Sequence, residues 1–277
     1  MPKIKTLLAG IAGVLLFSGI LLPHGAGAET TATKSQFLNI AHRGASGYAP
    51  ENTIAAFDKA VTMKADYFEV DVQRSKDGHL VILHDNTVDR TTDGTGYIGD
   101  LTLEEIKQLD AGSWFGEEFA GEPIPTLNEV LDRYRSKNIG ILIELKSPEL
   151  YPGIEAEVAL LLAQKKLDKR TDKIIVQSFN HDVMKNYHRL QPTIPVGVLV
   201  SYTPEGVSDE QLRQFSTYAD YVNPNQRLVN HDLVQRVHAN GMKITPYTIR
   251  AESEARQMMA AGVDGVITDF PELGRLR

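Results

Sequence analysis

The sequence predicts an α/β fold, a (β/α)8 TIM barrel with a β-hairpin extension and a small inserted subdomain. Three observations lead there. Short apolar runs alternate with amphipathic stretches along the chain, the pattern of a parallel sheet whose strands are joined by helices. The chain has 277 residues, and about 249 once a leader is set aside, a length that suits a closed barrel better than an open doubly wound sheet. Polar residues gather at the C-terminal ends of the runs, where a barrel of this kind carries its working groups.

The leader comes first. Residues 1–5 are a short basic start, Leu7 to Leu22 is almost wholly apolar, and Ala26-Gly27-Ala28 has the small-x-small form that signal peptidase accepts. Residues 1–28 therefore read as a secretory signal, 29–36 as a polar linker and 37–277 as the barrel. A retained anchor is the alternative, but the apolar run is short for a bilayer span of about 20 residues. The expected location is secreted, extracellular or cell-wall-associated, with no stable membrane insertion after cleavage.

Eight strands follow, at Phe37–Ala41, Tyr67–Gln73, Ile139–Leu145, Lys173–Ser178, Pro195–Val200, Ala219–Asn223, Met242–Thr248 and Asp264–Thr268. Helices are predicted between them at Asn52–Met63, Leu127–Lys137, Ile154–Lys166, His181–Arg189, Glu205–Ser216, Asn230–Asn240 and Ala251–Ala261. His79–His84 is a ninth apolar run, separated from the second strand only by a turn, so it must be an antiparallel hairpin partner. Residues 85–125, rich in Gly, Thr and acidic side chains, form the inserted subdomain over one face.

Composition narrows the function classes. With no cysteine, a disulfide framework, a zinc-thiolate site and a catalytic thiol are excluded. The net charge is −7, and loss of Lys3 and Lys5 with the leader makes it −9. Such acidity argues against nucleic acid as a partner.

The stretch EVDVQRSKDGHLVILHD, Glu69 to Asp85, carries the densest chemistry. Strand alternation puts Glu69 and Asp71 on one face and turns Val70 and Val72 away. If Asp77-Gly78 is a two-residue hairpin turn, Lys76 faces His79 and Asp71 faces His84. Two close carboxylates in an apolar setting repel, and a metal ion removes the objection. Glu144 on a later strand can supply a third oxygen, and an all-carboxylate set favours a hard cation, Ca²⁺ in preference to Mg²⁺. The alternative is ion pairing of Glu69 and Asp71 with Lys146 and Arg43. His42 and His84 both end strands near this cluster. Imidazoles titrate near neutrality, so one can take a proton from an attacking hydroxyl while the other gives one to a departing alkoxide. Arg43 and Lys146 can hold phosphate oxygens, which makes phosphodiester cleavage the natural reaction.

The motifs HRGASGYAPENTIAAF, EVDVQRSKDGHLVILHD, ELK and GVITDFP, in this order, resemble the glycerophosphodiester phosphodiesterase family from about Asn39 to Pro271. The resemblance implies a barrel with an inserted subdomain, an acid-base pair at His42 and His84, metal carboxylates at Glu69, Asp71 and Glu144, and phosphate contacts at Arg43 and Lys146. It implies metal-dependent hydrolysis of glycerophosphodiesters to sn-glycerol 3-phosphate and an alcohol. Secreted members similar to this chain also act on glycerol-phosphate polymers such as teichoic acids.

Other positions are less determined. Glu51, in PENT, either orients His42 or Arg43 or supports the local turn. Phe179 and Tyr247 follow strands and line the glycerol or leaving-group pocket, with core packing the alternative for Phe179. Many family members carry tryptophan next to the position of Tyr247, which this chain lacks; its sole tryptophan, Trp114, lies in the insertion with Phe115 and Phe119. His181, His188, His231 and His238 read as surface or capping residues. Two rival functions stay open: a phospholipase of related barrel type acting on intact lipid, which wants a basic or apolar rim, and a non-catalytic binder of phosphorylated cell-wall polymer, which would lack one of the site residues.

Overall fold

The computed structural model describes residues 37–276, so the leader at 1–28 and the linker at 29–36 lie outside the described residues. The strands are β1 (Leu38–Ala41), β2 (Tyr67–Arg74), the short β3 (Leu80–Ile82), β4 (Gly140–Leu145), β5 (Ile174–Ser178), β6 (Val196–Val200), β7 (Tyr221–Pro224), β8 (Lys243–Ile244) and β9 (Gly265–Thr268). All but β3 are parallel, in the order β8-β7-β6-β5-β4-β2-β1-β9. Backbone hydrogen bonds from Asp264 to Ile244 (3.0 Å) and from Ile267 to Pro246 (2.9 Å) bring the last strand against β8 and complete the barrel. The helices are α1 (Ile54–Thr62), α2 (Leu103–Ile106), α3 (Leu127–Tyr134), α4 (Ile154–Gln164), α5 (His181–Leu190), α6 (Asp209–Phe215), α7 (His231–Ala239) and α8 (Glu252–Ala261). The (β/α)8 architecture is the one the alternating pattern predicts.

The strands use their two faces differently. Outward residues such as Val70, Val72, Ile141, Ile143 and Val176 join the large core beneath the helices. Ile40, Tyr67, Leu142, Ile175 and Ile267 form a separate apolar cluster. They share a face with the polar residues two positions further along each strand, and the pleat repeats every two residues. One step beyond Ile40 comes His42; beyond Tyr67, Glu69 and then Asp71; beyond Leu142, Glu144; beyond Ile267, Asp269. The apolar plug is thus the floor on which the polar mouth stands.

Three local expectations are corrected. The helix predicted from Asn52 starts at Ile54, because Thr53 caps it by accepting from the Ala56 amide and Asn52 adopts a φ of 60°. The strand predicted over Met242–Thr248 is regular only at Lys243–Ile244, since Pro246, two residues on, lacks a ladder donor.

The third correction concerns the hairpin. β2 and β3 pair Val72 with Ile82, Gln73 with Val81 and Arg74 with Leu80. Ser75 then faces His79, with its amide donating to the His79 carbonyl at 2.9 Å, so the turn contains three residues, with Gly78 at φ 88°. The left-handed glycine is what a three-residue hairpin loop requires. Asp71 consequently meets Leu83, whose amide donates to its carbonyl at 3.0 Å, and does not lie opposite His84.

Residues 85–125 carry α2 and short 3₁₀ turns. Val88, Ile98, Ile106, Ala111 and Ile124 pack with Val81 and Leu83 into their own apolar cluster. Trp114, Phe115 and Phe119 meet edge-to-face, with successive centroids 5.6 Å apart.

Candidate active site

A cavity of about 120 Å³ at the barrel mouth is lined by His42, Arg43, His84, Glu144, Lys146, Phe179 and Tyr247. Seven residues singled out in the sequence thus meet around one space. Glu69 and Asp71 lie beneath it, each 1 % exposed.

Parallel pairing puts Asp71 beside Glu144 on adjacent strands, and Glu69 is one pleat step lower. One carboxylate oxygen from each of Glu69, Asp71 and Glu144 lies within 4.8 Å of the other two. Burial, and then the charges of Asp71 and Glu144, hold the Glu69 carboxyl well above its usual range. Burial and the Asp71 charge push Glu144 up to about 7. Asp71 behaves oppositely: burial works against its charge, but Lys146 and Arg43 hold its carboxyl low. Glu69 Oε1 is buried with no hydrogen-bond partner among the described residues. An orphaned carboxylate oxygen facing two further carboxylates fits a hard divalent cation, which would take oxygens from all three residues.

Of the alternative ion pairs, those of Asp71 are present, whereas Glu69 makes no side-chain ion pair with Arg43 or Lys146 among the described residues. Arg43 Nε is 3.4 Å from Asp71 Oδ2, and Lys146 Nζ is 2.9 Å from Glu144 Oε1 and 3.5 Å from Asp71 Oδ1. They place two cations among the three carboxylates. The Arg43 amide donates to Glu69 Oε2 at 2.8 Å, and its guanidinium binds Glu51 Oε1 at 2.8 Å. Glu51 is therefore an arginine-orienting residue. Although half-buried, its carboxyl is held below its usual range by Arg90 and Arg43.

Each histidine has a carboxylate behind it. His42 Nδ1 is 2.6 Å from Asp269 Oδ1, and His84 Nδ1 is 2.6 Å from Asp85 Oδ1. Such a partner fixes the tautomer with hydrogen on Nδ1 and leaves Nε2 free for proton transfer. Burial, followed by the Arg43 charge, lowers the pKa of His42 against the pull of Asp269. Burial likewise lowers His84, aided by Arg43 and Lys146 and opposed by Asp71.

Phe179 is 41 % exposed, so it is not a core residue. Its ring lies 5.8 Å from Lys146 Nζ and makes an edge contact with Tyr247 at 5.8 Å. The two rings form an apolar wall beside the ammonium. Of the remaining histidines, His181 is half-buried, meets Phe215 edge-to-face and is bonded to the Leu199 carbonyl, whereas His238 pairs with Asp264.

Several supporting residues carried no role in the sequence reading. Asn52 donates to Asp71 Oδ2 at 2.8 Å and accepts from the Asp71 amide. Gln73 Nε2 donates to the carbonyls of Leu83, His84 and Asp85. Gln177 approaches Glu144 at 3.4 Å and accepts from Asn223 at 2.6 Å, which in turn accepts from Thr245. Asn223 reaches Gln177 across β6 because Gly197 intervenes there, and a Cβ at that point would stand 2.8 Å from Asn223 Nδ2. Gln177, Asn223 and Asp269 are strand-end polar residues that the sequence expects at the mouth, without a role for any of them. Asp85 and Arg90 depend on loop paths that periodicity does not encode.

The sequence of residues 42–273 matches the model of the glycerophosphoryl diester phosphodiesterase family. A glycerophosphodiester phosphodiesterase from Bacillus subtilis is 37 % identical over 286 residues, covering 99 % of this chain and 97 % of the relative. One from Caldanaerobacter subterraneus subsp. tengcongensis is 44 % identical over 236 residues, 85 % of this chain and 95 % of its own. Among solved structures, an Oleispira antarctica phosphodiesterase in complex with the product sn-glycerol-3-phosphate superposes with a TM-score of 0.75 at 33 % identity, covering 85 % of this chain and 94 % of that one. The fold, the converging mouth residues and these likenesses agree: the chain belongs to the glycerophosphoryl diester phosphodiesterase family, and it is a phosphoric diester hydrolase.

Proposed function

We propose that the protein is a secreted, Ca²⁺-dependent enzyme that hydrolyses glycerophosphodiesters to sn-glycerol 3-phosphate and an alcohol, with His42 and His84 as its proton-transfer pair. The observation that carries this reading is the pair of carboxylate-backed imidazoles on one cavity with Arg43 and Lys146. The product complex of the Oleispira antarctica relative supports the substrate class. The secreted location is supported by residues 1–28 of the sequence.

Arg43 and Lys146 hold the phosphate oxygens, the first by its planar fork and the second as a point charge. Lys146 directs one contact to Glu144 and keeps N–H groups for the substrate. One imidazole accepts a proton from the attacking water through Nε2 as the new P–O bond forms. The other, protonated on both ring nitrogens beforehand, donates its Nε2 proton to the leaving oxygen as the ester bond breaks and returns to the neutral form. Asp269 and Asp85 stabilise the imidazolium state that each histidine occupies in turn. A divalent cation held by Glu69, Asp71 and Glu144 would supply charge neutralisation beside the phosphoryl group. Phe179 and Tyr247 receive the apolar edge of the substrate. Glycerol-phosphate polymer such as teichoic acid is the proposed extended substrate.

The test is product identification on glycerophosphocholine, glycerophosphoinositol and teichoic-acid polymer, with chelator and with Ca²⁺ or Mg²⁺ restored. Release of sn-glycerol 3-phosphate that stops with chelator and returns with Ca²⁺ is the expected result. Turnover indifferent to chelation refutes the cation, and inert polymer refutes the extended substrate.

A further inference from the structure

Arg90 lies in the inserted segment, outside the cavity, and its guanidinium joins two separate parts of the site. Its Nε and Nη2 donate to Asp85 Oδ2 at 2.6 Å and Oδ1 at 3.1 Å. Its Nη1 and Nη2 donate to Glu51 Oε2 at 2.9 Å and Oε1 at 2.8 Å. Both carboxylates are therefore gripped by two atoms each. Asp85 in turn holds His84 Nδ1 at 2.6 Å, and Glu51 holds Arg43 Nη1 at 2.8 Å. The links run without interruption from one imidazole to the phosphate-binding arginine.

An exposed ion pair usually contributes little, because two long side chains must be ordered in water. Forked guanidinium–carboxylate pairs within a network are the exception, since the planar donor is already arranged for both acceptors. Glu51 is only 12 % exposed, so its orientation is shielded from solvent competition. His42 is supported differently: Arg250 touches Asp269 through Nε and, among the described residues, its side chain bridges to no second element of the site.

We propose that Arg90 is a positioning residue for the hydrolysis, fixing His84 through Asp85 and Arg43 through Glu51, so that the spacing of proton-transfer and phosphate-holding groups is set by the inserted segment. This rests on the reading of His84 and Arg43 given above. The two arms have separable signatures. Loosening Asp85 misplaces an imidazole used in the chemical step, whereas loosening Glu51 misplaces a guanidinium that binds the ground state as well.

The experiment compares Arg90→Lys, Arg90→Met, Asp85→Asn, Glu51→Gln and His84→Ala in the full enzyme with saturating Ca²⁺, reading kcat, KM and thermal midpoint. Asp85→Asn is expected to lower kcat by about 10-fold or more with little change in KM. Glu51→Gln is expected chiefly to raise KM. Arg90→Met should do both, and adding Asp85→Asn to it should lower kcat little further, because both changes break the same link. Arg90→Lys keeps the charge without the double fork and should stay similarly slow; it decides the question if Arg90→Met does not fold.

Wild-type kcat and KM in Arg90→Lys overturn the proposal. So does a loss confined to the active fraction and thermal midpoint with KM unchanged. Slow His84→Ala beside fast Arg90 variants removes only the role of Arg90; fast His84→Ala removes the two-histidine reading itself.

Discussion

Gln73 holds His84 by the backbone on either side of it. From β2, its Nε2 donates to the carbonyls of Leu83 at 2.8 Å, His84 at 3.3 Å and Asp85 at 2.6 Å, while its Oε1 accepts from Tyr151 at 3.0 Å. β3 ends at Ile82, so the pleat no longer dictates where His84 points; a buried amide does. Gln73→Leu should therefore leave carbonyls unsatisfied and cost about 1–3 kcal/mol of stability. It should also slow turnover about 10-fold through misplacement of His84, as seen for other supporting groups. Thermal unfolding and steady-state kinetics check both parts; unchanged kcat in the folded variant removes the positioning role.

The barrel was legible because its periodicities are regular. Ile40 before His42, Leu142 before Glu144 and Ile267 before Asp269 each continue one face, so strand assignment alone brought the main site residues to one mouth. The hairpin register was not legible. Asp77-Gly78 fits a two-residue turn as well as the last two positions of a three-residue one, and the Ser75 hydroxyl settles the matter by accepting from the His79 amide at 2.9 Å. Arg90 and Asp85 were hidden for a different reason. Their partnership with Glu51 joins segments 39 residues apart through irregular chain, where no repeat marks which charges meet.

Protonation and cation binding should compete at the carboxylates. Glu144 has its pKa pushed up to about 7 by burial and by Asp71, against an ordinary 4.5. In the cation-free protein the folded state holds that proton more tightly than the unfolded one. Its contribution to stability is therefore full below pH 4.5 and fades as pH rises through about 7. A bound cation reverses the preference for the protonated form, so Ca²⁺ should raise the thermal midpoint more at about pH 8 than at about pH 5. Titration calorimetry in buffers of different ionisation enthalpy should show proton release on binding near neutrality. A midpoint increase independent of pH contradicts this assignment.

Removing a metal carboxylate should act on the cation first. Asp71→Asn keeps the shape but loses a full charge from a residue already held ionised by Lys146 and Arg43. Calcium affinity should fall by about 10-fold or more, the scale on which altering even an outer partner of a metal site acts. Equilibrium dialysis with calcium measures it directly; undiminished binding places the cation elsewhere.

The aromatic wall should affect binding more than chemistry. Phe179 is half in solvent, contacts Tyr247 and lies over the Lys146 ammonium, so Phe179→Ala removes apolar contact without disturbing either histidine. KM for glycerophosphocholine should rise several-fold while kcat changes less, the pattern of lost uniform binding. A fall in kcat at constant KM would instead place Phe179 against the transition state.

The two imidazoles on one cavity are tested most directly by measuring kcat for His42→Ala and His84→Ala at saturating Ca²⁺ and substrate. Each is expected to fall by about 10²-fold or more, the usual scale of lost general acid-base catalysis, with calcium affinity near that of the unaltered protein. A near-normal kcat in either variant contradicts the two-histidine mechanism.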